Sequence, residues 1–279
     1  MSIITISRGS YSRGREVAEK LAGRLGYECI SRDILLEASD EFNIPEIRLI
    51  RALHDAPTVL ERFHYGKERY LSYLKSALLQ HVQKDNVVYH GLAGQYFLKD
   101  IPHVIKVRII ADMGDRVQEE MKRENISAEK ALYVLKKDDE ERRKWGLQVY
   151  GTDTWDSRLY DMVLRIKSLS VDDVVGILAQ TVHLPTFQAT EKSQKMVNDL
   201  ALACKVQARI VQIAPSITIT ANDGVISFSN VEGKIAFSAN LLSELVNIAQ
   251  KVDGVKEVIN TVRGASEHRD HVNPYHNIG

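Results

Sequence analysis

Gly9-Ser10-Tyr11-Ser12-Arg13-Gly14-Arg15-Glu16 follows the β-branched run Ile3-Ile4-Thr5-Ile6-Ser7. It precedes Val17, Leu21 and Leu25, which recur at helical spacing with charges between them. A strand, a polar glycine-bearing loop and an amphipathic helix therefore succeed one another. The loop has the Walker A spacing G-x-x-x-x-G-K-[ST], with Arg15 at the lysine place and Glu16 at the hydroxyl place. Glycines let such a backbone curl and aim its N–H groups at phosphate oxygens, and the helix N-terminus adds a positive dipole. Arg15 can neutralise a phosphate bidentately. Glu16 cannot replace a hydroxyl as a neutral Mg²⁺ ligand, although a carboxylate reaches such an ion through water. On pattern alone two readings stay open, a phosphate loop and an ordinary polar connection.

Outward from the loop the alternation continues. Asn86-Val87-Val88-Tyr89, Val104 to Ala111 and Leu159 to Ile166 read as strands. The charged, amphipathic stretches Ile47 to Lys84 and Asp115 to Trp145 are long enough for helices, and Ser170 caps a helix running to Val182. Strands alternating with helices predict an α/β fold, a parallel sheet with helices on both faces. After His183-Leu184-Pro185 the order changes. Thr190 to Val211 reads as a helix, Ser216 to Thr220 and Val225 to Ser229 as strands joined by Asn222-Asp223-Gly224, Ala239 to Lys251 as a helix, and Lys256 to Val262 as a strand. That α-β-β-α-β order predicts a small α+β domain over 190–263, after a first domain over 1–184 and before a loose polar tail over 264–279.

Composition narrows the function classes. The 279 residues are 44% hydrophobic, enough for a packed core. Lys plus Arg number 37 against 37 Asp plus Glu, so a duplex nucleic-acid partner held by phosphate neutralisation is not expected. Cys29 and Cys204 stand far apart, which argues against a disulfide framework or zinc site and fits a reducing compartment. No stretch approaches the ~18 apolar residues of a membrane span, and the N-terminus lacks a signal-peptide pattern. The expected location is the cytoplasm.

Ile3-Ile4-Thr5-Ile6-Ser7-Arg8 followed by Ser12-Arg13-Gly14-Arg15-Glu16-Val17-Ala18 resembles the opening of the cytidylate-kinase-like family. Members of that P-loop family carry Gly-Arg-Glu where other nucleotide kinases carry Gly-Lys-Ser/Thr. The similarity continues through Ser31-Arg32-Asp33-Ile34-Leu35, Asp139-Glu140-Glu141-Arg142 and Tyr160-Asp161-Met162-Val163-Leu164, covering about residues 1–182. It implies ATP with Mg²⁺ as cofactors and a nucleotide acceptor, with no residue assigned as a protein metal ligand. Gly9, Ser10, Tyr11, Ser12, Arg13, Gly14, Arg15 and Glu16 would hold the donor. Arg116, Arg142 and Arg143 join Arg15 as catalytic candidates, because phosphoryl transfer rests on positioning and charge neutralisation. Residues 136–144, which carry the last two, match the family's mobile lid; otherwise they read as a solvated helix face paired at i,i+4.

On the acceptor side Arg32, Asp33 and Gly91 are the candidates. Ser31 stands where the family usually has aspartate, and Gly91-Leu92-Ala93 where it often has Gly-Arg-Gly. His90 lies beside that segment, and a histidine satisfied by its neighbours is the commoner reading there. His268, His271 and His276 read as part of a solvated tail. Residues 190–263 resemble a BON domain through Ile217-Thr218-Ile219-Thr220, Gly224-Val225-Ile226-Ser227-Phe228-Ser229 and Val252-Asp253-Gly254-Val255-Lys256-Glu257-Val258-Ile259-Asn260. That resemblance implies a protein, ion or lipid ligand. The expectation is a nucleoside monophosphate kinase-like phosphotransferase acting on CMP or dCMP. The rivals are a catalytically weak, nucleotide-responsive regulator signalling through the BON module and a structural adaptor with a vestigial loop.

Overall fold

Ile3, Ile4, Thr5 and Ile6 are all buried, because the first strand is covered on both faces and carries apolar side chains on both. The computed structural model describes residues 2–9, 12–31, 33–42, 66–91, 93–229 and 239–260. In chain order the first elements are β1 (Ile3–Arg8), α1 (Gly14–Leu25), β2 (Glu28–Ile30), α2 (Asp33–Phe42), α3 (Gly66–Val82) and β3 (Val87–His90). They are followed by α4 (Gly94–Phe97), β4 (Val104–Ala111), α5 (Met113–Glu124), α6 (Ala128–Tyr150), β5 (Met162–Ile166) and α7 (Val171–Thr181).

The five strands form one parallel sheet in the order β2-β3-β1-β4-β5. Ile4 pairs with Val88 on one side and Ile105 on the other. Val17, Ala18 and Leu21 of α1 join Val174, Val175 and Leu178 of α7 in the same buried cluster as Ile4, Ile6, Val107 and Ile109. Each valine, leucine or isoleucine among them contributes about 1.5–3 kcal/mol when fully buried. With β1 central, the chain runs to β2 and β3 on one side and to β4 and β5 on the other. Crevices form at the carboxyl ends of parallel strands around such a switch point.

Local chemistry sets the boundaries. Ser170 Oγ accepts from the Asp173 N–H at 3.1 Å while the Asp173 carboxylate accepts from the Ser170 N–H at 2.9 Å, a capping box at the expected residue. The charged stretch Asp115 to Trp145 is two helices. Asn125 turns left-handed at φ 51° and ends α5; Ser127 then caps α6. β2 and α2 are elements that periodicity did not mark.

The chain divides into two compact units, 1–201 and 202–279, and the division falls within α8 (Glu191–Ile210). In the second unit β6 (Thr218–Asn222) pairs antiparallel with β7 (Val225–Ser229), which pairs parallel with β8 (Glu257–Asn260). α9 (Ala239–Gln250) supplies Leu245 and Ala249 to a core with Val206, Ile210, Ile226 and Phe228. Asp223 and Gly224 both take positive φ and close the two-residue hairpin. That turn carries the pairing to Asn222↔Val225, so β6 lies two residues later than its apolar run suggested. Cys29 and Cys204 form no disulfide. No helix among the described residues is long and apolar enough to cross a membrane.

Candidate functional site

The loop after β1 is drawn tight at Gly9, whose carbonyl accepts from Ser12 Oγ at 3.0 Å and from the Ser12 N–H at 3.3 Å. Arg13 follows in the left-handed region at φ 62°, and Gly14 opens α1. No side chain caps this helix among the described residues, so its first N–H groups and its dipole face the loop. Ser10 and Tyr11 lie outside the described residues, as do Arg32, Leu92 and the tail histidines.

Three arginines from three elements gather at Gly9. The Arg116 guanidinium, in the first turn of α5, lies so close that a Cβ on Gly9 would come within 3.3 Å of its Nη2. Arg142 of α6 donates from Nη1 to the Arg8 carbonyl at 3.4 Å. Arg8 ends β1, and its stem packs on Gly14, where an added Cβ would meet the Arg8 Cβ at 2.7 Å. Gly14 is therefore required by Arg8 as well as by the curl of the loop. Burial pulls the Arg8 guanidinium below its ordinary value, and the charges of Arg142 and Arg15 pull it further, while Glu19 opposes them. Burial likewise lowers Arg142; Arg116 and Arg108 add to that, while Asp138 and Asp139 oppose it.

The other candidates divide. Arg15 is exposed and held at Nε by Glu19 Oε1 at 2.7 Å. Glu16 accepts from Arg13 at 2.8 Å and lies 3.4 Å from Lys20. Arg143 is engaged by neighbours on its own side of the smaller cavity. Its Nε donates to Asp153 at 2.7 Å, and its guanidinium stands 5.4 Å over the Trp155 ring. Asp33 opens α2. Gly91 is shaped by its own chain, since a Cβ there would come within 2.5 Å of the Tyr89 hydroxyl oxygen. His90 is buried at the end of β3.

Residues 3–168, more than half of the chain, match the model of the Cytidylate kinase-like family. The chain belongs to that family. It is 28% identical over 121 residues to the cytidylate kinase of Pyrococcus horikoshii, covering 43% of this chain and 62% of that one. It is 29% identical over 112 residues to the cytidylate kinase of Thermococcus kodakarensis, covering 39% and 57%. The match thus spans about three-fifths of the length of these curated relatives. Among solved structures, an uncharacterized protein from Eubacterium ventriosum aligns over 65% of this chain and 98% of its own with TM-score 0.50 at 22% identity, a likeness of fold. The parallel five-stranded sheet flanked by helices fits a P-loop kinase fold.

Two cavities flank the family site. The larger, about 490 Å³, is lined by arginines 8, 13, 15 and 123 and by five carboxylates, among them Glu16 and Glu120. The smaller, about 30 Å³, is lined by Ser7, Gln95, Arg108, Arg142 and Trp155, with Arg8 again in its wall. Arg8, Arg108, Glu120 and Trp155 were not singled out from sequence. Arg108 had a readable signal: Lys106 and Arg108 alternate within the apolar run of β4, so one face of a central strand carries charge. Arg108 donates to the Thr154 carbonyl and to the Tyr160 hydroxyl.

The family implies a divalent cation. Among the described residues no group of three His, Cys, Asp or Glu side chains could hold a metal. Glu16 is engaged by cations, but Glu120 is 4% exposed and its Oε2 lacks a hydrogen-bond partner among the described residues. This donor set suits a hydrated Mg²⁺ carried on phosphates, with Glu120 a carboxylate of the larger cavity that would meet its water shell. When bound, such an ion neutralises phosphate charge.

Proposed function

We propose that this chain transfers the γ-phosphoryl group of ATP to a nucleoside monophosphate, CMP or dCMP by its kinship with the cytidylate kinases. The observation that carries the reading is the gathering of Arg8, Arg116 and Arg142 at Gly9, beside a helix N-terminus that no described side chain caps. Phosphoryl transfer asks a protein for little beyond such positioning and neutralisation. In this reading the backbone over 9–16 cradles the donor phosphates, and Arg15 leaves Glu19 to join them. Arg116 and Arg142 neutralise the transferring group, while Arg32, Asp33 and Gly91 serve the acceptor side. Arg143 becomes a positioning residue for Trp155. ATP and Mg²⁺ are the cofactors, and the cytoplasm is the compartment.

Calorimetry with ATP, followed by a coupled assay across nucleoside monophosphates, tests this. The reading expects ATP binding that Arg15→Ala weakens and turnover with at least one pyrimidine monophosphate. A folded protein with no turnover on any acceptor overturns it.

A second reading draws support from Asp139, which already occupies Arg116 bidentately. Here the site binds nucleotide and signals, with weak or no catalysis, through a BON module over 190–263 that takes a protein, ion or lipid ligand. Nucleotide-induced stabilisation without turnover is its signature.

A further inference from the structure

Arg8 is a guanidinium held close to other guanidinium groups. Its Nε is buried and has no hydrogen-bond partner, and no carboxylate forms an ion pair with it among the described residues. Its surroundings make this costly. Burial strips much of its water and Arg142 and Arg15 repel it, an effect that Glu19 offsets only in part. The stem packs against Gly14, which aims the head along the wall of both cavities. A partly buried, repelled cation with no ion-pair partner among the described residues is relieved by an anion. A phosphoryl group offers several oxygens in the geometry that a guanidinium fork matches.

Position decides which phosphoryl group. Arg8 lines both the larger cavity beside the phosphate loop and the smaller pocket that holds Gln95, Arg108 and Trp155. The larger cavity is walled by charged side chains throughout, a setting for phosphates and sugar. The smaller one adds an amide and two indoles, groups that suit the near edge of a planar acceptor, although its volume of about 30 Å³ admits no whole base. A donor on one side and an acceptor on the other meet at the wall they share. We propose that Arg8 is a catalytic residue that grips the phosphoryl group in flight between the two cavities. This rests on the phosphotransferase reading above.

In the step itself, an acceptor phosphate oxygen forms a bond to the donor's γ-phosphorus. The bond from that phosphorus to the β,γ-bridging oxygen breaks, and its electron pair leaves with the nucleoside diphosphate. Nothing is oxidised or reduced. Arg8 stabilises the charge on the three equatorial oxygens, which is greatest in effect when both partners are present.

The test compares wild type with Arg8→Met and Arg8→Lys. Turnover of ATP with CMP is measured alongside calorimetric binding of ADP alone, CMP alone, and ADP with aluminium fluoride and CMP together. Circular dichroism confirms that each variant keeps the wild-type fold, and Arg8→Lys retains the charge should Arg8→Met not fold. The expected result is a kcat loss of about 100-fold or more. The ternary fluoride complex should weaken by a similar factor, with ADP alone within about threefold of wild type. A folded variant whose kcat stays near wild type overturns the assignment, as does equal weakening of ADP and the fluoride complex. Wild-type protein that transfers nothing from ATP overturns the reading beneath it instead.

Discussion

Arg116 donates from both terminal nitrogens to the carboxylate of Asp139, at 2.7 and 2.9 Å, so α5 and α6 are clasped beside Gly9. The pair is largely buried, and the cavity beyond Arg142 is only about 30 Å³, smaller than a nucleobase needs. Asp139 therefore stands where a phosphate could, and under the phosphotransferase reading an acceptor enters only if α6 shifts.

Asp139→Asn should separate these effects. Breaking a buried pair by removing one partner costs about 3–5 kcal/mol at the extreme, less where the replacement still accepts a hydrogen bond. Urea unfolding should show lower stability, whereas calorimetry with pyrophosphate should show tighter binding because Arg116 is released. Weaker pyrophosphate binding would mean that Asp139 organises the site.

Arg142 and Arg143 should differ although they are neighbours. Arg142→Ala should weaken pyrophosphate or ATP binding about tenfold or more, the loss of a charge-assisted contact. Arg143→Ala should leave that affinity within about threefold and change the emission of Trp155, which is 53% exposed while Trp145 is 1% exposed. Both are read from one titration series with fluorescence detection.

Gly14→Ala should be more damaging than Gly9→Ala. At Gly14 the new methyl meets the rigid base of Arg8 at 2.7 Å, whereas at Gly9 it meets the far end of Arg116 at 3.3 Å. Overpacking of the first kind costs about 1–3 kcal/mol. Equal unfolding midpoints for the two variants would contradict the packing of Arg8 on Gly14.

Asp112 offers a pH test. Hydrogen bonds from Arg165 and then Lys167 lower its pKa from 3.8 to about 2. A carboxyl depressed on folding adds stability that is present above the unfolded value, declines as pH falls through it, and is gone below about 2. Asp112→Asn should thus unfold earlier than wild type in urea at pH 7, and the gap should narrow at pH 3. The site is exposed, so the gap is small and shrinks with salt. A gap that widens on acidification would contradict the sign.

The loop and its flanks were legible because Ile3 to Ser7, two glycines and the Val17–Leu21–Leu25 spacing each point to one local structure. The hairpin at Asp223-Gly224 and the cap at Ser170 were legible for the same reason. The break at Asn125 was not, since charge on both sides hid the change of helix. β2 is only three residues long, too short for a period to register. Which arginine faces the loop was also beyond the sequence. Adjacent residues on a helix point about 100° apart, so only tertiary packing could send Arg142 inward and Arg143 toward Trp155. Arg8 read as the end of a strand, and nothing in its neighbours announces that its head is partly buried with no ion-pair partner among the described residues.

Phosphorus NMR of the full chain with ATP, Mg²⁺ and CMP follows the transferred group itself. The expected spectrum gains CDP and ADP in equal amounts as ATP and CMP decline, and Arg8→Met suppresses that gain. ATP and CMP that persist unchanged, or ATP lost to inorganic phosphate with no CDP formed, would contradict a nucleoside monophosphate kinase.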